Sequence, residues 1–259
     1  MKRTVKRSII IVLLALMVGT FAKAQTEMNE QLFFVWEATV NPAMNSQFND
    51  LQIDFHSPFK ENGFPYSISA WTDGNFHYYF FYPVESYNDK DGIYDALSAI
   101  IPIWGMENFM KMWETVLSHR TYFLRSQPEM SFYPEEARLS DEEETYCIWD
   151  IFYVRPDKDY EMQALGKEFA ALLKNKNYND HVQIYSGDVG YEGSVYFGAL
   201  FGSDREDLYS QNEKMWELLG EEGTEIFQKW MSLVYKRDFK QFWYLKELSY
   251  SPEISGHGN

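Results

Sequence analysis

The chain has 259 residues, of which 45% are hydrophobic and 18% aromatic, and its formal net charge is −16. This composition excludes disordered, collagenous and disulfide-rich proteins, and the single cysteine, Cys147, cannot form an intrachain disulfide. A strongly acidic chain also lacks the basic surface typical of nucleic-acid-binding proteins. At about 100–200 residues per domain, the length allows one large domain or two small ones.

The first 24 residues have the pattern of a secretory signal peptide. Basic residues near the N-terminus are followed by an apolar run from Ile9 to Val18, and Ala22-Lys23-Ala24 places small residues before a cleavage point at Gln25. The apolar run is much shorter than the ~20 residues that span a bilayer. We therefore expect an exported mature chain, periplasmic or extracellular, with no membrane span.

The remainder of the chain contains one sequence unit twice. Residues 105–135 align with residues 223–253 without gaps, and nine positions are identical. The starts of the units also correspond, since Val35-Trp36-Glu37 before Pro42 resembles Ile148-Trp149-Asp150 before Pro156, with one residue inserted. The sequence predicts a first unit over 25–135, an acidic linker over 136–145, interpreted as a solvated connector, and a second unit over 146–259.

Within each unit the hydrophobic period changes in the same order. An apolar strand precedes a helix, a hairpin, a long helical region and a last strand. The predicted strands are 33–40, 66–71, 76–82 and 121–125 in the first unit, and 146–153, 181–185, 194–201 and 239–245 in the second. The order β-α-β-β-α-β is that of a ferredoxin-like unit. Strand 76–82 is apolar on both faces. The face of the sheet that its helices do not cover must therefore also be shielded from water. Two units packed sheet to sheet supply this shielding as a barrel within one chain.

This arrangement resembles the dimeric α+β barrel superfamily, which includes antibiotic-biosynthesis-monooxygenase-like, EthD-like and NIPSNAP-like proteins. The resemblance covers nearly the whole mature chain and depends on element order and duplication. It implies an α+β fold of two tandem ferredoxin-like units and no particular chemistry. The Trp36-Glu37 opening and the Leu248–Glu253 ending are also similar to uncharacterised secreted proteins of Bacteroidetes-type bacteria, which implies a periplasmic location.

Glu37 and Asp150 are the leading candidates for acid–base chemistry. Each lies in the middle of an apolar strand, at corresponding points of the two units. Alternation places Glu37 on the face of Val35 and Asp150 on the face of Ile148. Because a charge is unfavourable in a helix-packed core, we expect both to point into the barrel, where desolvation raises a carboxyl pKa and suits a general acid or base. The alternatives are a structural ion pair with a strand arginine such as Arg125, or a position in water at the barrel mouth.

His77 is expected inside a strand, on the face of Tyr79 and Phe81. A histidine in a cavity can bind haem iron or shuttle protons, whereas a histidine among aromatic residues is more often a hydrogen-bonded core residue. Aromatic side chains would line a ligand site between the sheets together with the acids. The candidates are Trp36, Tyr79, Trp149 and Tyr196. The sequence has no HExxH or CxxC motif, so no metal site is predicted.

These features favour a secreted, non-catalytic or small-ligand-binding α+β barrel that uses no cofactor and holds a small apolar or aromatic ligand. The first alternative is an enzyme, either cofactor-independent and monooxygenase-like or haem-handling, as the resemblance allows. The second alternative is a cell-envelope interaction module with a filled barrel. The acidic charge argues against nucleic-acid partners, and the oligomeric state is left open.

Overall fold

The computed structural model describes residues 30–252, so the predicted signal peptide lies outside the described residues. The first half contains β1 (Leu32–Val40), α1 (Asn45–Glu61), β2 (Ser69–Thr72), β3 (His77–Val84), α2 (Asp89–Trp104), α3 (Met106–Thr115) and β4 (Val116–Ser126). The second half contains β5 (Tyr146–Val154), α4 (Asp159–Asn175), β6 (Gln183–Gly187), β7 (Ser194–Gly202), α5 (Arg205–Leu233) and β8 (Val234–Tyr244). No helix within residues 30–252 is long and apolar enough to cross a membrane.

The eight strands close into one antiparallel barrel in the order β1-β3-β2-β8-β5-β7-β6-β4. Each half supplies a four-stranded sheet, and the halves join where β2 pairs with β8 and β4 pairs with β6. The predicted α+β fold, in which two tandem ferredoxin-like units form one barrel, is therefore confirmed. The sheets meet edge to edge at these two seams and enclose the inner face of the barrel. Closure leaves no strand of the barrel with an unpaired edge.

Alternate side chains of each strand point into the barrel and outward to the helices, as the two-residue period of a strand requires. On β1, Val35 lies in the interior cluster, whereas Phe34 packs in the outer core beneath the helices. Apolar and aromatic side chains pack in the barrel interior, as is usual for eight strands. Its central side chains include Val35, Tyr79, Tyr122, Leu124, Trp149 and Phe197.

Helices cover the outer face of each sheet, and each half has its own outer core. Helices α1, α2 and α3 pack on the first sheet around residues such as Phe48 and Phe80, and α4 and α5 pack on the second around Phe152 and Trp230. Burial of each such aromatic side chain contributes about 1.5–3 kcal/mol. These two layers position the pockets described below.

The element boundaries differ from the sequence expectation at the last strand of each half. β4 begins at Val116 and β8 at Val234, five residues earlier than predicted. Pairing of Val40 with Val116 and of Val154 with Val234 extends both strands, because long-range pairing overrides local helical periodicity. Gly105, at φ 107°, separates α2 from α3.

Candidate functional site

Glu37 and Asp150 lie on opposite faces of the barrel wall. Glu37 is on the interior face and pairs with Arg120, whereas Asp150 is on the outer face, in a cavity beneath α4 and α5. The prediction that Asp150 points into the barrel is wrong. The paired registers make equivalent positions of β1 and β5 114 residues apart, so the counterpart of Asp150 is Trp36. The sequence alignment was one residue out of register, and one residue reverses the face of a strand side chain.

The cavity that contains Asp150 lies between the second sheet and helices α4 and α5, and we call it the second-half cavity. Its volume is about 450 Å³, within the range of small-molecule sites. Aromatic and aliphatic side chains form most of its wall, with Asp150, Arg237, Tyr209, Asn212 and Thr224 as polar members. The aromatic members are Phe152, Phe169, Trp216, Phe227, Trp230 and Phe239.

Asp150 and Arg237 form a two-pronged ion pair in this wall. Arg237 Nε donates to Asp150 Oδ1 at 2.6 Å, and Arg237 Nη2 donates to Oδ2 at 2.5 Å. The guanidinium carbon lies 5.7 Å from the ring centre of Phe152 and 5.4 Å from that of Phe227. The hydrogen bond to Asp150 raises the pKa of Arg237, against the opposing effect of burial. The side chains of Asp150 and Arg237 are 21% and 43% exposed, so the pair stands where the cavity meets solvent.

The equivalent cavity in the first half is smaller. In the first half, Trp36 and His119 stand at the positions that correspond to Asp150 and Arg237. This cavity lies between the first sheet and helices α1–α3, measures about 200 Å³, and is called the first-half cavity. Trp36 takes the position of Asp150 and contacts His119 and Trp113, with ring centres 6.4 and 6.1 Å away. The indole occupies volume that the second half leaves open. The two halves therefore share one architecture, but different side chains occupy the space between sheet and helices.

His56, a residue that the sequence analysis did not single out, lines the first-half cavity. Burial lowers its pKa to about 4, and its Nδ1 atom has no hydrogen-bond partner among the described residues. The ring packs against Phe59, also on α1, with ring centres 4.7 Å apart and the ring planes tilted by 39°. The sequence could have indicated that His56 faces the core, because the spacing of Gln52, Phe55, His56 and Phe59 places them on one face of a helix.

The remaining candidates are distributed over three environments. Tyr79 and Trp149 lie in the barrel interior, where Lys240 Nζ donates to the Tyr79 hydroxyl at 2.8 Å. His77 contacts Asp73 through Nδ1 at 2.7 Å, and its side chain is 30% exposed. Tyr196 faces the helices and donates to Asp159 at 2.9 Å. The expectation of one site between the sheets is thus wrong for Trp36, Asp150 and Tyr196, which lie outside the barrel.

The ion-pair alternative for Glu37 agrees with the observed contacts, but with a different arginine. Arg120 Nε donates to Glu37 Oε2 at 2.9 Å, and its guanidinium lies 4.9 Å from the ring centre of Tyr122. Arg125, the partner named from the sequence, binds Asp188 at 3.0 Å instead. Glu37 is therefore held by a cation on the neighbouring strand.

No protein-family model and no curated protein matches the chain. Solved structures do resemble it. An anthrone oxidase-like protein has a TM-score of 0.55 at 12% identity, covering 84% of this chain and 92% of its own. A "putative monooxygenase" from Lactobacillus acidophilus has a TM-score of 0.54 at 8% identity, covering 83% and 94%. A mutant chlorite dismutase from Candidatus Nitrospira defluvii has a TM-score of 0.52 at 9% identity, covering 86% and 93%.

The chain has the dimeric α+β barrel fold. At these identities the likeness extends to the fold alone, and similarity to Bacteroidetes-type proteins stays a prediction. The expectation of a non-catalytic barrel protein is nevertheless corrected. The similar structures bear the names of an oxidase-like protein, a monooxygenase and a chlorite dismutase, which favours the enzyme alternative.

The two cavities beneath the helices do not fit haem, the cofactor of the haem-handling alternative. Haem iron is held by His, Cys, Met or Tyr side chains. Of these types, only Tyr209 and Met215 line the second-half cavity among the described residues; the Tyr209 hydroxyl accepts a hydrogen bond from Gln241 at 3.4 Å, and Met215 is buried in the outer core. Its one arginine, which would have to neutralise the haem carboxylates, is already bound by Asp150. His56 lines only the first-half cavity, which is less than half as large. We therefore derive no chemistry through haem.

Proposed function

We propose that the protein is a cofactor-independent, monooxygenase-like enzyme that oxidises an electron-rich aromatic substrate in the second-half cavity. The observation that carries this proposal is the ion pair Asp150–Arg237, set into the largely apolar wall of a cavity of about 450 Å³. The names of the similar structures, an anthrone oxidase-like protein and a monooxygenase, are consistent with it.

The cavity wall favours a flat, hydroxylated aromatic substrate. Rings such as Phe152, Phe169 and Trp216 offer faces and edges for stacking, which is worth about 0.5–1.5 kcal/mol for each aromatic pair beyond its area of contact. A phenol or ketone oxygen next to Arg237 receives a charge-assisted hydrogen bond. Arg237 Nη1 donates no hydrogen bond to any residue within 30–252, so it is available for that oxygen.

The ion pair supplies acid–base chemistry to such a substrate. Arg237 stabilises the anion that forms when an activated benzylic C–H bond breaks, and Asp150 accepts the proton. The carbanion gives one electron to dioxygen, and recombination of the two radicals forms a C–O bond and a peroxide. Protonation by Asp150 and loss of water leave a ketone. The CH2 group and O2 thus become C=O and H2O, and the substrate supplies all the electrons.

Oxygen uptake with anthrone and its hydroxylated derivatives tests this proposal. We expect consumption of one O2 for each quinone formed. Asp150→Asn and Arg237→Gln should each lower kcat/KM at least about 100-fold, the usual effect of losing a proton-transfer group in the first case and an anion-stabilising donor in the second. Glu37→Gln is the matched control, because it removes a carboxylate from an arginine pair on the opposite face of the same sheet system. No uptake across the series, or full activity in Asp150→Asn, would contradict the proposal.

We further propose that the enzyme acts outside the cytoplasm. The basic, apolar and small-residue pattern of residues 1–24 supports export. Fractionation of the host cell, followed by N-terminal sequencing, should give a periplasmic protein that begins at Gln25. A cytoplasmic protein with an intact N-terminus would reject this proposal and leave the catalytic one unaffected.

A further inference from the structure

A separate cavity of about 410 Å³ opens at one end of the barrel, and we call it the barrel-mouth cavity. It lies inside the barrel, so the second sheet separates it from the second-half cavity. Trp149 and Cys147 are buried residues of its wall, and burial raises the pKa of the Cys147 thiol well above its usual range. Five half-buried aromatic side chains surround the opening: Phe33, Trp71, Phe81, Tyr185 and Phe201.

The chain segment between β4 and β5, which connects the two halves, brings two carboxylates to this aromatic opening. Asp141 and Glu144 both line the cavity, and the Glu144 side chain is only 10% exposed. Local hydrogen bonds hold the connection in place, because Glu143 caps the turn at Ser140 and the Thr145 hydroxyl donates to Ser203 O at 2.6 Å. The acidic connection is therefore an ordered part of the cavity wall.

Within residues 30–252, the charged side chains that line the barrel-mouth cavity are both carboxylates. No lysine or arginine of the described residues lines it. Glu144 Oε1 contacts His181 Nδ1 at 3.0 Å, and no described residue donates a side-chain hydrogen bond to Asp141 or to Glu144 Oε2. The polar side chains Ser69 and Gln183 are engaged within the wall, as acceptors from Trp71 and Tyr185. The cavity thus combines aromatic faces with negative charge.

We propose that the barrel-mouth cavity binds an organic ammonium ion, with its apolar part among Trp71, Phe81 and Trp149 and its charge facing Asp141 and Glu144. Aromatic faces attract cations by about 0.5–2 kcal/mol for each good contact, most strongly where water is excluded. An anionic ligand is repelled by the two carboxylates. A net charge of −16 also raises the local concentration of cations. This site is independent of the proposed oxidation.

Binding of benzyltrimethylammonium, followed by tryptophan fluorescence, tests the proposal. Its neutral carbon isostere, neopentylbenzene, has the same shape without the charge. We expect saturable quenching by the cation, with a Kd at least tenfold lower than that of the isostere. Equal affinities, or no saturable change with the cation, would overturn the proposal.

Variants then locate the site. Asp141→Asn should weaken cation binding about fivefold, and Asp141→Asn with Glu144→Gln at least tenfold. Asp141→Asn alone keeps the Glu144–His181 contact, so it remains informative if the double variant folds poorly. Glu142→Gln is the matched control, since it removes the same charge from an exposed neighbour that does not line the cavity. An equal loss of affinity in Glu142→Gln would overturn the proposed site.

Discussion

Asp150 occupies on β5 the position that Trp36 occupies on β1, 114 residues earlier in the chain. The second half places a carboxylate beneath its helices at this position, where the first half places an indole. The partners differ in the same way, because Asp150 binds Arg237 whereas Trp36 packs against His119. This exchange accompanies the difference between cavities of about 450 and 200 Å³.

A reciprocal exchange tests this relationship. Trp36→Asp should destabilise the protein by about 3 kcal/mol or more, because it opens a void and buries an unpaired carboxylate. Adding His119→Arg should restore part of the loss by supplying the cation. Urea unfolding of both variants and of His119→Arg alone gives the coupling energy. A double variant no more stable than Trp36→Asp would contradict the equivalence.

The converse exchange, Asp150→Trp with Arg237→His, should fill the second-half cavity. We expect a folded protein that no longer binds or oxidises aromatic substrates, since the indole takes their space and the ion pair is gone. Circular dichroism checks the fold, and oxygen uptake checks the activity. Retention of substrate oxidation at the original rate would place the reaction elsewhere in the molecule.

His181 should make stability depend on pH. Its hydrogen bond with Glu144 is the main cause of its raised pKa, opposed by burial and aided by the charges of Asp180 and Asp141. The contribution to folding is complete below the unfolded-state pKa of about 6.5 and is lost as pH rises through the folded pKa. Urea unfolding at pH 6 and pH 9 should show this loss, and His181→Gln should abolish it. The exposed-site variant Glu142→Gln should keep it.

His56 should have the opposite effect. Its pKa is lowered to about 4 by burial, so the unfolded chain binds a proton more readily than the folded protein. The free energy of unfolding should therefore fall as pH drops from about 6.5 towards 4, by up to about 3 kcal/mol at 1.36 kcal/mol per pKa unit. His56→Phe should remove this slope. An NMR titration that gives His56 an ordinary pKa would refute the prediction.

Gly190 lies in the loop between β6 and β7, which packs against β4. Its φ is 102°, and an added Cβ would lie 2.7 Å from Tyr122 Cβ and 3.0 Å from Tyr122 Cα. Gly190→Ala should destabilise by roughly 2–4 kcal/mol, through backbone strain and overpacking together. Gly193, at φ 71° with open space around it, is the control for strain alone. If Gly190→Ala and Gly193→Ala lower the free energy of unfolding equally, the contact with Tyr122 does not contribute to the effect.

The sequence predicted the fold well and the sites poorly, for a physical reason. Helical and strand periods depend on local burial, so the order of elements and the duplication were visible in residue types alone. The outward direction of Asp150 depends on a one-residue difference between two strands, which only their pairing with β4 and β8 fixes. Asp141 and Glu144 were interpreted as solvated connectors because nothing local shows that the connection crosses the barrel mouth.

The covalent connection between the halves also removes a symmetry constraint. In a homodimer built from one ferredoxin-like unit, any substitution appears in both subunits and changes both pockets together. In a fused barrel each substitution appears once. The first half can then fill part of the space beneath its helices with Trp36, while the second half keeps a larger cavity with the Asp150–Arg237 ion pair. The asymmetry between two halves of the same element order is one that only such a fused barrel permits.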